Sequence, residues 1–216
     1  LAKKNKILVC AQQNKTNIPS YPAALNSVLG VDSIYSTIDD EIWYDAQKII
    51  QCYSNAVPKL VKGLNDRYVF FGGTSKSAAV VTGILTANME MQVDNNLECI
   101  LSKLAIRHTW EVDSDRECSN KFRQYNLDRC IHKKYSQDKY HIVKKTISEV
   151  LKISSEIDYF TPLAEQNINL NGEEAKQLLE SLENQFLVKI NFDQVFYTSM
   201  YSFNSIIDLF FRGNNE

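Results

Sequence analysis

Residues 141–211 read HIVKKTISEVLKISSEIDYFTPLAEQNINLNGEEAKQLLESLENQFLVKINFDQVFYTSMYSFNSIIDLFF and decide how the second half of the chain folds. Apolar side chains recur three or four positions apart over residues 142–151 and again over residues 175–186, which is the spacing of one face of an amphipathic helix. A third apolar run, over residues 206–211, predicts a shorter helix. Thr161-Pro162 is typical of a turn in the long connection between the first two helices. The stretch therefore predicts a small all-α bundle.

This bundle, taken as residues 137–212, resembles the acyl carrier domain of fatty acid and polyketide synthases. The resemblance rests on TPLAEQ (161–166), AKQLLESLENQF (175–186), VKI (188–190) and SIIDLF (205–210). In that family a serine at the start of the second long helix carries phosphopantetheine through its hydroxyl. The matching position here is Gly172, which has no hydroxyl. The resemblance therefore implies a carrier that cannot be loaded at its usual place.

Composition limits the classes of function that the chain can have. Of its 216 residues, 44% are apolar and 23% are charged, and the net charge is −2. These values are ordinary for a globular protein. With this charge balance we expect no positively charged surface that binds nucleic acid. The sequence has no run of about 18 apolar residues, so we expect no transmembrane helix. Since the chain begins with Leu1, we expect a trimmed or partial polypeptide.

The five cysteines are scattered, and no pair has the spacing of metal ligands. We therefore expect free thiols in a reducing, cytoplasmic compartment and no metal site.

The first half of the chain alternates strand and helix signals. Strands are predicted over residues 6–10 (KILVC), 31–36 (VDSIYS) and 67–71 (RYVFF). Helices are predicted over residues 23–29, 39–64 with Pro58 as a kink, 77–91 and 97–106. This alternation is typical of an α/β domain with a parallel sheet. Residues 111–136 are charged and lack periodicity, which indicates a linker between an α/β domain (1–110) and the helical domain (137–212).

The order of α/β domain, linker and carrier is similar to that of a ketoreductase–carrier segment of animal-type fatty acid and polyketide synthases. The resemblance rests on residues 6–16, 29–36, 65–75 and 96–110, and it implies a partial Rossmann-like domain of the short-chain dehydrogenase type. Such an enzyme binds NADP through a Gly-rich turn and protonates its substrate from a tyrosine. Here AQQNKT follows the first strand without a glycine, and no tyrosine occurs between Tyr68 and Tyr125. The resemblance therefore implies a reductase that has lost its chemistry. We expect no bound cofactor.

The turn Gly72-Gly73-Thr74-Ser75 is open to three interpretations. The simplest is a tight strand-to-helix turn with Ser75 or Ser77 as the helix N-cap. A second is a phosphate cradle formed by the backbone of Gly72, Gly73 and Thr74 at a helix N-terminus. A third makes Ser75 the nucleophile of a thioesterase or another hydrolase, because a strand–turn–helix can expose a serine hydroxyl. The histidines available as its base are His108, His132 and His141.

Two features of the helical domain suggest partners. Glu173, Glu174, Glu180 and Glu183 are expected to form an acidic helix face that could dock other synthase-like domains or subunits. The many aromatic residues after residue 190 are expected to fill the interior, or alternatively to line a pocket for a lipid.

The function expected from the sequence is that of a non-catalytic, fatty-acid-synthase-like protein or segment with a structural role or a lipid or protein partner. The alternatives are a working ketoreductase–carrier portion, with NADP and phosphopantetheine, and a hydrolase that uses Ser75.

Overall fold

The computed structural model describes residues 8–12, 18–36, 38–91, 97–110, 135–153 and 170–211, together with Ile157 and Leu163. The chain forms two compact units. Unit 1 comprises Leu1–Val57 and Gly72–Phe122, and unit 2 comprises Pro58–Phe71 and Arg123–Glu216. The predicted linker lies outside the described residues up to residue 134, and so does His132. Of the TPLAEQ stretch, only Leu163 is described.

Unit 1 is built on a four-stranded mixed sheet. Its strands are β1 (Val9–Ala11), β2 (Leu29–Ile34), β3 (Ile42–Tyr44) and β4 (Cys52–Asn55). Their spatial order is β1-β2-β4-β3, in which β1, β2 and β4 are parallel and β3 is antiparallel to β4. The predicted α/β content is confirmed, whereas the expectation of a purely parallel sheet is corrected by the direction of β3.

Two helices, α1 (Gly73–Met91) and α2 (Leu97–Leu104), pack in the core of unit 1. Alternate residues of each strand point to opposite faces of a sheet. Thus Val31, Ile42 and Cys52 pack with α1 and α2, while Trp43 packs with Trp110 in a separate cluster. The helices predicted over residues 77–91 and 97–106 are confirmed, although α1 begins four residues earlier than its prediction and α2 ends two residues earlier.

The long helix predicted over residues 39–64 is wrong, since β3, β4 and a further strand occupy this stretch. The structure buries Ile42 and Tyr44 on one face of the sheet and Trp43 on the other. This strand is therefore buried on both faces, and such a short continuous apolar run cannot be told from a buried helix by its periodicity.

The helix predicted over residues 23–29 is also wrong. The chain there makes successive turns, with hydrogen bonds from Leu25 N to Pro22 O and from Val28 N to Leu25 O, and Leu29 already belongs to β2. Gly30 explains the geometry, because a Cβ at this position would lie 2.5 Å from the carbonyl oxygen of Ala23. The turn segment and β2 approach too closely for an ordinary side chain at that position.

Unit 2 combines a β-hairpin with helices from the end of the chain. Strands β5 (Lys59–Lys62) and β6 (Tyr68–Phe71) pair with each other as an antiparallel two-stranded sheet. RYVFF is therefore a strand, as predicted, but it lies in this hairpin instead of the sheet of unit 1. Residues 195–197 extend the other edge of β5, since Leu60 N donates to Val195 O at 2.8 Å.

The helices of unit 2 agree with their predicted places. They are α3 (Gln137–Leu151), α4 (Gly172–Phe186) and α5 (Phe203–Phe211). Their apolar faces meet in one core, whose fully buried members include Val143, Ile147, Leu178, Leu182 and Ile206. Leu60 of β5 packs in the same core, so the hairpin supplies part of the interior that the helices share.

The N-terminus of α4 lies directly against β6. A Cβ at Gly172 would lie 2.3 Å from the carbonyl oxygen of Tyr68 and 2.5 Å from the Cα of Val69. Asn171 and Glu174 form a capping box, with each side chain accepting a hydrogen bond from the other residue's backbone N–H at 3.0 Å. The Glu173 carboxylate accepts a hydrogen bond from the backbone N–H of Tyr68.

Replacing Gly172 with alanine is expected to lower the free energy of unfolding of unit 2 by about 1–3 kcal/mol, since its methyl group has no space. Urea unfolding followed by circular dichroism measures the effect. The control is Gly83→Ala in α1, where nothing lies within 4 Å of the added Cβ and a gain of about 0.5–1 kcal/mol is expected. An unchanged Gly172→Ala protein would contradict the close approach of α4 and β6.

Candidate functional site

The turn that leads into α1 requires a glycine. Gly72 follows β6 directly, and α1 begins at Gly73, whose φ of 72° lies in the left-handed region. Residues with a Cβ rarely adopt this conformation. Since the helix begins at Gly73, Ser75 and Ser77 lie inside its first turns, and the interpretation of either as the N-cap is wrong.

Ser75 is exposed, whereas Thr74, Lys76 and Ser77 beside it are not, and Ala79, one turn further along the same face of α1, is exposed as well. Thr74 is 8% exposed, Lys76 is 4% exposed and Ser77 is fully buried. The Ser75 hydroxyl is therefore presented to solvent by a turn whose other side chains are held in the protein.

Three hydrogen bonds hold this turn on the carboxyl end of β4. Gly73 N donates to Ala56 O at 2.9 Å, Lys76 Nζ to Val57 O at 3.0 Å, and Ser77 Oγ to Ser54 O at 2.8 Å. The carboxyl edge of parallel strands is where α/β proteins place most of their ligand sites. The N-terminus of α1 also brings the positive end of the helix dipole to this edge.

The structure supports the interpretation of this turn as a phosphate-binding site less than the sequence does. The backbone N–H of Gly73 already donates to Ala56, and the Thr74 side chain is buried. The first turn of a helix nevertheless has N–H groups without intrahelical acceptors. Such groups can stabilise a negative oxygen that forms beside Ser75.

His108 is not placed to act as a base for Ser75. It follows Arg107, which forms a parallel bridge with Trp43 of β3, and Arg107 O accepts a hydrogen bond from Tyr44 N at 2.9 Å. Because β3 is antiparallel to β4, this segment leads to the amino edge of the parallel strands, away from the first turn of α1. Of the two histidines among the described residues, His108 belongs to unit 1, and His141 lies exposed on α3 of unit 2.

The carboxyl end of β1 is occupied by a glutamine where a dinucleotide-binding fold has its Gly-rich turn. Gln12 is buried, its Nε2 donates to Ile18 O at 2.9 Å, and its Oε1 accepts from Ser20 N at 2.8 Å. The amide thus ties down the segment that returns toward β2.

Burial shifts the pKa of two other titratable groups of the unit 1 sheet. Burial raises the pKa of the Cys52 thiol to about 12, so its reactive thiolate is scarce at neutral pH. Burial also raises the pKa of the Asp32 carboxyl, although hydrogen bonds from Ser33 act in the opposite direction.

A cavity of about 980 Å³ lies at the amino edge of the same strands. Its rim exposes large apolar side chains from Leu8, Tyr21, Leu25 and Ile49. Its volume suits a small molecule, but Ser75 is not among the residues that line it.

The four glutamates proposed for docking do not share one exposed face. Glu173 and Glu174 cap the start of α4, as described above, and Glu180 is exposed beside Lys176 at 3.5 Å. Glu183 is buried, where it accepts hydrogen bonds from Lys189 Nζ at 2.6 Å and Ile190 N at 2.9 Å. Three of the four side chains therefore serve the fold of unit 2.

The aromatic residues of unit 2 pack mainly on each other and on the helices. Phe203 and Phe210 are buried, and Phe186 lies 5.2 Å from Phe210 and 5.1 Å from Phe211 between ring centroids. This packing agrees with the interpretation that they fill the interior.

Lys76, Asp39 and Asn55 are site residues that the sequence analysis missed. Lys76 Nζ donates to Asp39 Oδ1 at 2.8 Å, and Asn55 Nδ2 donates to Ile38 O at 2.9 Å. A lysine beside a serine suggests a solvated surface, and Asp39 was interpreted as the start of a helix. No local sequence signal marks these residues as buried partners.

Comparison with protein-family models gives no match, and no curated protein or solved structure matches the chain significantly. Within the described ranges, no helix has both the length and the apolar character needed to cross a membrane. Over the same residues, His, Cys, Asp and Glu side chains do not gather in groups of three that could bind a metal ion.

Replacing Glu183 with glutamine is expected to destabilise unit 2 at pH 7 by about 1–2 kcal/mol. Burial raises the pKa of Glu183, but the hydrogen bonds from Lys189 and Ile190 outweigh it and hold the pKa below its ordinary value. The unfolded state therefore binds the proton more readily than the folded state, so this stabilisation is lost as pH falls through the folded pKa.

Urea unfolding of both proteins between pH 7 and pH 3 measures this effect, and their difference is expected to shrink at acid pH. Glu180→Gln is the matched control on the same helix, with an expected change below about 0.5 kcal/mol because its ion pair is exposed. A Glu183→Gln deficit that is constant with pH would contradict the assignment.

Proposed function

We propose that unit 1 carries an acyl-transfer site in which the Ser75 hydroxyl is the nucleophile, and that its reaction is the hydrolysis of an ester, thioester or amide. The observation that carries the proposal is the exposure of Ser75 between buried neighbours at the start of α1. The placement of that turn at the carboxyl edge of the sheet supports it as well.

In this reaction Ser75 Oγ attacks the carbonyl carbon of the substrate while its proton passes to a base. The bond from the carbonyl carbon to the leaving group then breaks, and the leaving group takes up a proton. Water cleaves the resulting acyl-serine and releases a carboxylic acid. The N–H groups and dipole of the first turn of α1 favour the negative charge that develops on the substrate oxygen. Among the described residues of unit 1, His108 is not placed to take this proton.

Incubation of the folded protein with a fluorophosphonate is expected to give one covalent adduct, at Ser75. The Ser75 oxygen forms a bond to phosphorus, the phosphorus–fluorine bond breaks, and hydrogen fluoride leaves. Intact mass and peptide mapping locate the adduct. Ser75→Ala is expected to abolish it, whereas Ser102→Ala, at an exposed serine of α2, should leave it unchanged. Folded wild-type protein without an adduct at Ser75 would overturn the proposal.

A second candidate function is the non-catalytic, structural or partner-binding role implied by the resemblance to a ketoreductase–carrier segment. The packing of Gly172 favours it for unit 2, because the carbonyl of Tyr68 occupies the space of any side chain at that position. A phosphopantetheine arm has no place there. The alternative of a working carrier would need another serine to be loaded.

Treatment with a phosphopantetheinyl transferase and coenzyme A is expected to leave the mass of the chain unchanged. Gly172→Ser, checked for folding by circular dichroism, is expected to remain unloaded as well, because the start of α4 is covered by β6. A competent carrier protein in the same reaction serves as the positive control. A mass gain of one phosphopantetheine on the wild-type chain would favour the working carrier.

A further inference from the structure

Lys76 is a buried lysine that directly follows the proposed nucleophile. Its side chain is 5% exposed, and its Nζ lies 2.8 Å from Asp39 Oδ1, whose side chain is 34% exposed. The same Nζ donates to Val57 O at 3.0 Å. Burying an ammonium group is unfavourable even when it is paired, and an apolar side chain of similar length would fill this space more easily. The ion pair therefore calls for an explanation other than stability.

Asp39 belongs to the connection that joins β2 to β3 at the carboxyl edge of the sheet. Asn55, which is 1% exposed, holds this connection from the end of β4, since its Nδ2 donates to Ser36 O at 3.1 Å and to Ile38 O at 2.9 Å. Lys76 holds it from α1. Residues 38–41 are thus fastened on one side to the sheet and on the other to the turn that presents Ser75.

We propose that Lys76 and Asp39 are positioning residues of the Ser75 site. Their ion pair locks residues 38–41 against the first turn of α1, which fixes the backbone that carries Ser75. This inference rests on the acyl-transfer function proposed above.

Lys76 is not itself the general base in this arrangement. Successive residues of an α-helix are rotated by about 100° from each other, so the side chains of Ser75 and Lys76 leave the helix in different directions. The exposure of Ser75 and the burial of Lys76 show this divergence. Lys76 Nζ is also already bonded to Asp39 and Val57. Its effect on Ser75 acts through the backbone of the turn and through residues 38–41.

The test is the second-order rate at which a fluorophosphonate labels Ser75 in the full-length chain. Lys76→Met removes the charge at similar length, and the expected result is a rate at least about tenfold lower than in the wild type, because small misplacements of a nucleophile have large effects on rate. Asp39→Ala removes the acceptor from the more exposed side and is the second variant if Lys76→Met does not fold. Lys76→Arg keeps the charge and is expected to retain the rate within about threefold.

Lys103→Met, at an exposed lysine of α2, is the matched control and should label at the wild-type rate. Unfolding followed by the fluorescence of Trp43 and Trp110, both in unit 1, confirms that each variant is folded at the labelling temperature. Hydrogen exchange at residues 38–41 is expected to rise in Lys76→Met and Asp39→Ala but not in Lys76→Arg.

A folded Lys76→Met or Asp39→Ala protein that labels at the wild-type rate would overturn the positioning role and leave the proposed function standing. A slow Lys76→Arg protein with normal exchange at residues 38–41 would overturn it too. A wild-type chain that is not labelled at Ser75 would overturn the proposed function itself, and the positioning role with it.

Discussion

The attachment of the first turn of α1 to the end of β4 is the constraint on which the rest of unit 1 depends. A backbone N–H, a hydroxyl and an ammonium group of this turn all donate to carbonyl oxygens at or just beyond β4. They fix where the helix starts, which side chains it buries, and which it leaves to solvent. Ser75 is exposed because its neighbours are fastened. The left-handed conformation at Gly73 allows the chain to enter this position directly from β6.

The N-termini of α1 and α4 are used in opposite ways. At α1, glycines open the turn and a hydroxyl remains accessible. At α4, a glycine lets a strand approach until no side chain fits, and two glutamates and an asparagine accept hydrogen bonds from backbone N–H groups around it. Glycine therefore leaves the start of α1 accessible in unit 1, and it lets a strand cover the start of α4 in unit 2. A sequence comparison that aligns helix starts alone does not distinguish these cases, because the difference is made by what packs against each glycine.

Local periodicity predicted much of the secondary structure, and contacts distant in sequence account for most of the rest. The helices of unit 2 follow from their regular apolar spacing, and β6 follows from its run of aromatic and β-branched residues. The helix predicted over residues 39–64 is wrong because Trp43 and Tyr44 are buried on opposite faces of a sheet. No local pattern reveals the other strands of that sheet. Ser75 was recognisable from the turn before it. Lys76 and Asp39 were not, since their burial depends on two segments 37 residues apart meeting at one sheet edge. The resemblance to a carrier pointed to Gly172 for its missing hydroxyl, but the pattern could not show that β6 occupies that space.

The hairpin of β5 and β6 makes unit 2 discontinuous along the chain. The polypeptide leaves unit 1 after Val57, contributes the hairpin to unit 2, and returns at Gly72. Tyr68 and the glutamate that accepts its N–H are 105 residues apart. During synthesis on the ribosome the hairpin therefore emerges long before α4, and an isolated two-stranded hairpin is marginally stable in water. Its apolar face, with Leu60 and Phe70, packs in the core that the later helices share, so the strand pair lacks these partners until those helices have been made.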